Sequence, residues 1–196
     1  MELIFATNNR NKVQEVQSLL PDSLHLITLA EAGLDIDIPE PFETLQENAS
    51  IKIETILRIS QKNAGFSEDS GLFIAALNGR PGVHSAHYAG PQRRDADNIQ
   101  RVLSELQGVA DRSAFFQTTI CLIWEGKSYF FTGTCPGVIE ESPQGDGGFG
   151  YDPIFRPAGA NCTFGAMSLM EKNEYSHRKK AVGQLIAFLT EVGKNL

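Results

Sequence analysis

The chain has 196 residues, 41 % of them hydrophobic and 21 % charged, a composition that supports one packed domain and excludes a disordered chain. Its formal net charge of −7 argues against binding along nucleic acid, which calls for a basic face, but leaves room for a small basic pocket that takes a phosphorylated metabolite. No apolar run is long enough to cross a bilayer, so a membrane partner is not expected.

In chain order, residues 2–6 form an apolar run that stops at Thr7-Asn8-Asn9. Met1-Glu2-Leu3-Ile4-Phe5 has no basic n-region and no cleavage signal, so it reads as a first strand and predicts a cytoplasmic protein. A helix fits about 11–20, with Val13, Val16, Leu19 and Leu20 on one face, and Pro21-Asp22 ends it. Leu24 to Leu29 reads as a second strand, and 30–43, with Pro39 and Pro41, as a loop. Thr44 to Glu47 is a capping box that opens a long helix to about Asn63, closed by Gly65. A short strand around Phe66 then ends at Glu68-Asp69-Ser70-Gly71-Leu72. Residues 78–92 read as a structured loop and 93–107 as a helix, with Ile99, Val102, Leu103 and Leu106 inward. Phe115–Ile123 and Ser128–Gly133 flank Glu125-Gly126-Lys127 as a β-hairpin, and Val138-Ile139 continues a strand. Residues 145–150 carry four glycines and form the most flexible segment by composition; a last helix fits about 176–192. Strand-helix units first and a hairpin later imply an α/β chain with a mixed sheet flanked by helices. Cys121, Cys135 and Cys162 are widely spaced, which predicts reduced thiols and no zinc site.

Four segments carry residue types suited to chemistry. Glu68-Asp69 at the carboxyl end of a strand would hold Mg²⁺ or take a proton from an attacking water; the alternative is an ordinary Asp-Ser-Gly turn. Thr7, Asn8, Asn9, Arg10, Asn11 and Lys12 precede or open a helix, where free N–H groups and fixed positive charge make an anion site; the alternative is plain capping by an Asn. The stretch Gly145 to Pro153 places Phe149 and Tyr151 among glycines, a pattern suited to stacking on a planar base, or else to a flexible loop whose aromatics pack down. Lys172 and Ser176-His177-Arg178 are the last, because cations in a helix's first turn oppose its dipole and a bound polyanion would offset that; a helix starting near Asn173 would leave them as solvated side chains. Glu40, between two prolines, and Lys52, on the long helix where most lysines face water, are weaker candidates.

These segments, in this order, resemble the inosine/xanthosine triphosphate pyrophosphatases, a family that removes nonstandard purine nucleotides. The resemblance is carried by Phe5-Ala6-Thr7-Asn8-Asn9 with Lys12, Glu47-Asn48-Ala49 with Lys52, Glu68 to Leu72, Leu77 to Val83 with Ser85-Ala86, Tyr88-Ala89-Gly90, Gly147 to Phe155, Glu171-Lys172-Asn173 and Ser176-His177-Arg178. It implies one domain over 1–196 built as two lobes, with an elongated mixed β-sheet, flanking helices and a nucleotide cleft between the lobes. It also implies a homodimer, a Mg²⁺ requirement, and cleavage of a nucleoside triphosphate to monophosphate and pyrophosphate. By position, Thr7 to Lys12 and Lys52 would meet the triphosphate, Glu40 and Asp69 the metal, and Asp69 the proton of water. Ser70, Phe149, Gly150, Tyr151, Asp152, Lys172, His177 and Arg178 would contact substrate. His87 stands where an arginine is usual, His84 where an aromatic or aliphatic residue is common, Phe42 for a glycine and Ala166 for an acid. The competing readings are a binding module without turnover, a pyrophosphatase of pyrimidine or modified nucleotides, and a carboxylate-pair glycosidase.

Overall fold

The computed structural model describes residues 2–34 and 36–193. Met1, which the sequence joins to the first strand, and Asp35, inside the predicted loop, lie outside them. The elements are β1 (Glu2–Phe5), α1 (Arg10–Gln17), β2 (His25–Thr28), α2 (Leu45–Ser60), β3 (Gly65–Ile74), β4 (Pro81–Gly82), α3 (Asp95–Glu105), β5 (Ser113–Trp124), β6 (Lys127–Ile139), β7 (Phe155–Pro157), α4 (Leu169–Tyr175) and α5 (His177–Gly193). The strands form one mixed sheet in the order β2-β1-β3-β5-β6-β7, with β4 on β3. β1 pairs in parallel with β2 and with β3, whereas β4 and β7 join antiparallel. The predicted α/β class and mixed sheet are therefore observed.

Contacts divide the chain into two units. The first comprises 1–69, 118–133 and 178–196, the second 70–117 and 134–177. The chain crosses from one to the other at Asp69–Ser70 and at His177–Arg178, so both motif segments straddle a crossing. The first unit buries Leu3, Phe5, Phe66, Ile120 and Leu122 with the apolar faces of α1 and α5, and Ile4 and Ala6 with Ala49, Ile53 and Ile56 of α2. The second packs Leu72, Ile74, Val102, Leu106, Phe116, Phe155 and Phe164 together.

Local chemistry explains most boundaries. Thr44 caps α2, its hydroxyl accepting from Glu47 N at 3.2 Å. The helix ends at Gln61, in the left-handed region at φ 55°, and not at Gly65, which opens β3. The hairpin loop is Glu125-Gly126, both at positive φ, the conformation whose twist matches the flanking strands. α4 is unanticipated, although Ser168 and Glu171 form a full capping box before it.

β3 is longer than the sequence suggests. Glu68, Asp69 and Ser70 lie inside the strand, which continues to Ile74, so the turn reading and the strand-end reading both fail. Gly71 is needed for close approach rather than for a turn: a Cβ there would stand 2.4 Å from the Gly82 carbonyl oxygen of β4. The Ser85 hydroxyl closes this corner, accepting from Leu72 N at 2.8 Å and donating to Gly82 O at 2.6 Å. Gly71→Ala is expected to lower stability by about 1–3 kcal/mol, read from the urea midpoint. An unchanged midpoint would mean that β4 can move away at little cost.

Candidate active site

Side chains alternate across a strand, and β3 uses that alternation to send its two acids to different partners. Phe66 and Glu68 share one face; Ser67 and Asp69 share the other. Phe66 stacks on Phe5 at 4.5 Å within the cluster formed with α1 and α5. Glu68 follows it and meets Lys12 of α1 at 3.2 Å and Arg178 of α5 through two nitrogens at 2.8–3.0 Å. Ser67 donates to Ala49 O of α2. Asp69 faces the same helix, its Oδ1 lying 3.4 Å from Lys52 Nζ.

Arg178 is only 2 % exposed, which is possible because a second carboxylate, Glu15 of α1, also accepts from it. Its charge in the first turn of α5 is thus offset by buried protein carboxylates. Burial pushes Glu68 toward the neutral form, but Arg178 and then Lys12 outweigh it and hold its pKa down to about 2. Burial likewise opposes the Arg178 charge, and Glu68 and Glu15 overcome it, so its pKa is raised.

Lys52 lies on the inward stripe of α2 with Leu45, Asn48, Ala49, Ile53 and Ile56, not on its solvent side. Its Nζ is 2.5 Å from Glu40 Oε1 as well as 3.4 Å from Asp69. Burial disfavours the ammonium, yet Asp69 and then Glu40 raise its pKa above the ordinary lysine value. Glu40 is positioned through Asn48, whose side-chain amide binds both the N–H and the C=O of Phe42 at 3.0 Å. That clamp uses the Phe42 backbone only, so Phe42 in place of a glycine is accommodated as a residue 39 % exposed.

Two carboxylates that converge on one ammonium are spaced to share a cation. Both offer hard oxygen donors, and Mg²⁺ is commonly held by one or two carboxylates with substrate phosphates completing its shell. Asp69 Oδ2 is in addition a buried oxygen that accepts no hydrogen bond among the described residues. Also among them, no group of three or more His, Cys, Asp or Glu forms a metal cage. In this unit Lys12, Lys52 and Arg178 form ion pairs with Glu15, Glu40, Glu68 and Asp69. A divalent cation held by Glu40 and Asp69 would offset their negative charge and make this place attractive to phosphate. The donor set therefore fits Mg²⁺.

At the start of α1, Asn9 is the N-cap, and its Oδ1 accepts from Asn11 N at 3.0 Å and Lys12 N at 3.1 Å. Thr7 Oγ1 accepts from Asn9 N at 3.2 Å, and Asn8 Nδ2 donates to Ile36 O at 2.8 Å. The capping alternative is thus realised locally. Arg10 and Asn11 are exposed.

The second unit holds its own cluster. Lys172 Nζ, in α4, lies 2.5 Å from Asp152 Oδ2, and the same oxygen accepts from Phe149 N at 2.9 Å. The ammonium also stands 5.0 Å from the Phe149 ring centre, a cation–π arrangement. The expected pair of stacking aromatics is not equivalent. Tyr151 is buried and donates its hydroxyl to Ser85 O at 2.9 Å, while Phe149 is half-buried and faces Lys172. His177 is buried with its ring parallel to Phe116 at 4.8 Å. Ser70 is half-buried in β3. His84 and His87 pack on each other at 5.3 Å beside Ser85, and Ala166 is exposed. Glu15 and Asp95 were not singled out by sequence, and Ser85 entered only as part of the resemblance. Glu15 carried one signal, an acid three residues after Lys12 and adjacent to the buried Val16.

A lowered carboxylate pKa supplies stability above the unfolded value that is lost as pH falls through the folded one. Ionised Glu68 therefore contributes fully above about pH 4.5, and its share declines toward pH 2. Glu68→Gln is expected to cost about 3–5 kcal/mol at pH 7, and the gap to the parent should close on acidification. Urea denaturation at pH 7, 4 and 3 measures this; a gap constant with pH would contradict it.

The sequence profile of the Ham1 family matches residues 3–188. A protein of Flavobacterium psychrophilum named dITP/XTP pyrophosphatase is 45 % identical over 188 residues, covering 96 % of this chain and 98 % of its own length. One of the same name from Staphylococcus aureus is 37 % identical, covering 96 % of each. Among solved structures, the Staphylococcus aureus Ham1 protein superposes with a TM-score of 0.87 at 36 % identity, over 97 % of this chain and 99 % of that one. A HAM1 protein from Coxiella burnetii superposes with 0.85 at 39 % identity, over 97 % and 99 %. A profile match across nearly all of the chain, with relatives this similar at full length, shows that it belongs to the Ham1 family.

Proposed function

We propose that this chain is a Mg²⁺-dependent nucleoside triphosphate pyrophosphatase that cleaves nonstandard purine nucleotides, ITP or dITP and XTP, to the monophosphate and pyrophosphate, removing them from the nucleotide pool. The names of its full-length relatives support the substrate class. The observation that carries the chemistry is the Lys52 ammonium shared by Glu40 and Asp69, a carboxylate pair with a lysine that suits a metal–phosphate centre and not a neutral sugar.

In this reading Glu40 and Asp69 hold Mg²⁺, which supplies Lewis acidity and neutralises charge on the phosphate oxygens. Asp69 orients a water toward the α-phosphorus and takes its proton. Lys12 and Lys52, with Thr7, Asn8, Asn9, Arg10 and Asn11 at the start of α1, meet the triphosphate and offset the remaining charge. Phe149 stacks on the base, with Gly150, Tyr151 and Asp152 shaping the loop that carries it. Ser70, Lys172, His177 and Arg178 complete the substrate contacts, Arg178 partly by fixing Glu68. Hypoxanthine and xanthine carry an acceptor oxygen at ring position 6, where adenine carries a donor. Backbone N–H groups or His177 and Arg178 would favour the oxygen, and a donor facing a donor costs about 1–3 kcal/mol. The chain is read as one catalytic domain over 1–196, acting in a cytoplasmic homodimer. No helix among the described residues is long and apolar enough to cross a membrane.

The test is pyrophosphate release from ITP, dITP, XTP, GTP and ATP, with and without Mg²⁺. Turnover is expected to need Mg²⁺ and to favour ITP and XTP over ATP; equal rates across the panel would refute a selective pocket. Asp69→Asn should lower kcat about 10²–10⁴-fold and leave nucleotide affinity within a few-fold. Near-normal turnover in that variant would reject Asp69 as the base.

A further inference from the structure

Three amides of the glycine loop have fixed acceptors. Gly147 N–H donates to Gly165 O at 2.9 Å, Phe149 N–H to Asp152 Oδ2 at 2.9 Å, and Gly150 N–H to Asp95 Oδ2 at 2.6 Å. The third partner comes from 55 residues earlier in the chain, at the first position of α3. Gly150 has a φ of 60° and no atom within 4 Å of a Cβ built on it. Its conformation therefore suits glycine without being forced by crowding, and the carboxylate is what fixes where its amide points.

Phe149 thus lies between two carboxylate anchors, Asp152 on its own N–H and Asp95 on the next one. Beyond them Tyr151 ties the loop to Ser85 O. A plainer role for Asp95 is to offset the dipole of α3 from its first turn. Asp97 lies in the same turn, paired with Arg94 at 2.7 Å, and provides that service through a contact local to the start of the helix.

We propose that Asp95 is a positioning residue for nucleobase recognition, holding the Gly150 amide so that the Phe149 ring keeps the orientation needed to stack on a purine. This rests on the assignment of Phe149 to the base. It predicts an effect on base-dependent affinity with little effect on the phosphate chemistry.

Asp95→Ala, Asp95→Asn and Asp97→Asn separate the possibilities. Asp95→Ala should raise KM for XTP roughly three- to tenfold with kcat within about twofold, and should leave inhibition by inorganic tripolyphosphate, which has no base, unchanged. Asp95→Asn keeps an acceptor oxygen and should stay near the parent, as should Asp97→Asn. Hydrogen exchange at the Gly150 amide, read by NMR without substrate, should accelerate in Asp95→Ala alone. Unchanged Gly150 exchange, an unchanged KM in Asp95→Ala, or an Asp95→Asn variant as impaired as Asp95→Ala would each overturn the proposal. A parent protein that turns over no nucleotide would defeat the functional reading instead, and the exchange measurement would still decide whether Asp95 holds the loop.

Discussion

The pleat of β3 is the constraint on which the first unit depends. Adjacent acids in a strand cannot share a face, so Glu68 and Asp69 must find separate surroundings. Glu68 meets Arg178 and Lys12 from α5 and α1; Asp69 meets Lys52 from α2. Burying this many charges is costly, and such networks are weak evidence for stability in themselves. Their effect is positional. Each cation is held by carboxylates at known distances, so the lysines that would face phosphate are oriented before any ligand arrives.

That division separates two kinds of work. The Glu68–Arg178–Glu15 set is almost closed to solvent and joins α1, β3 and α5. The Glu40–Lys52–Asp69 set is more open at Glu40, whose side chain is 24 % exposed. The open set can exchange an ammonium contact for a metal and a phosphate, whereas the closed set keeps both of its carboxylates on Arg178. In the second unit Asp152 plays a comparable part, binding Lys172 and the Phe149 amide through one oxygen.

Much of this was legible in the sequence. The Thr44–Glu47 box, the hairpin at Glu125-Gly126 and the helices α2 and α5 depend on neighbours within a few residues, and they are observed. The length of β3 was not legible, because Asp-Ser-Gly is a turn signal by local propensity and it is pairing with distant strands, β5 beside it and β4 with the Gly82 carbonyl against Gly71, that makes it strand. Tyr151 looked like a partner of Phe149 because both are aromatics among glycines; its burial is decided by Ser85, 66 residues away. Lys52 looked solvated since most helical lysines are. Its place on the buried stripe follows from the spacing to Asn48, Ala49 and Ile56, but its tolerance there follows from Glu40 and Asp69. The site residues that were missed, Glu15 and Asp95, are acids whose partners come from distant segments.

The most direct test of this division of labour is Mn²⁺ binding, followed by electron paramagnetic resonance in the presence of a non-hydrolysable XTP analogue. Mn²⁺ accepts the same hard oxygen donors as Mg²⁺. Glu40→Gln and Asp69→Asn should each weaken Mn²⁺ binding at least about tenfold, an affinity loss typical of altering a metal's ligand environment, while Glu68→Gln, kept folded at neutral pH and low temperature, should bind like the parent. Loss of Mn²⁺ affinity in Glu68→Gln with retention in Glu40→Gln and Asp69→Asn would contradict the account.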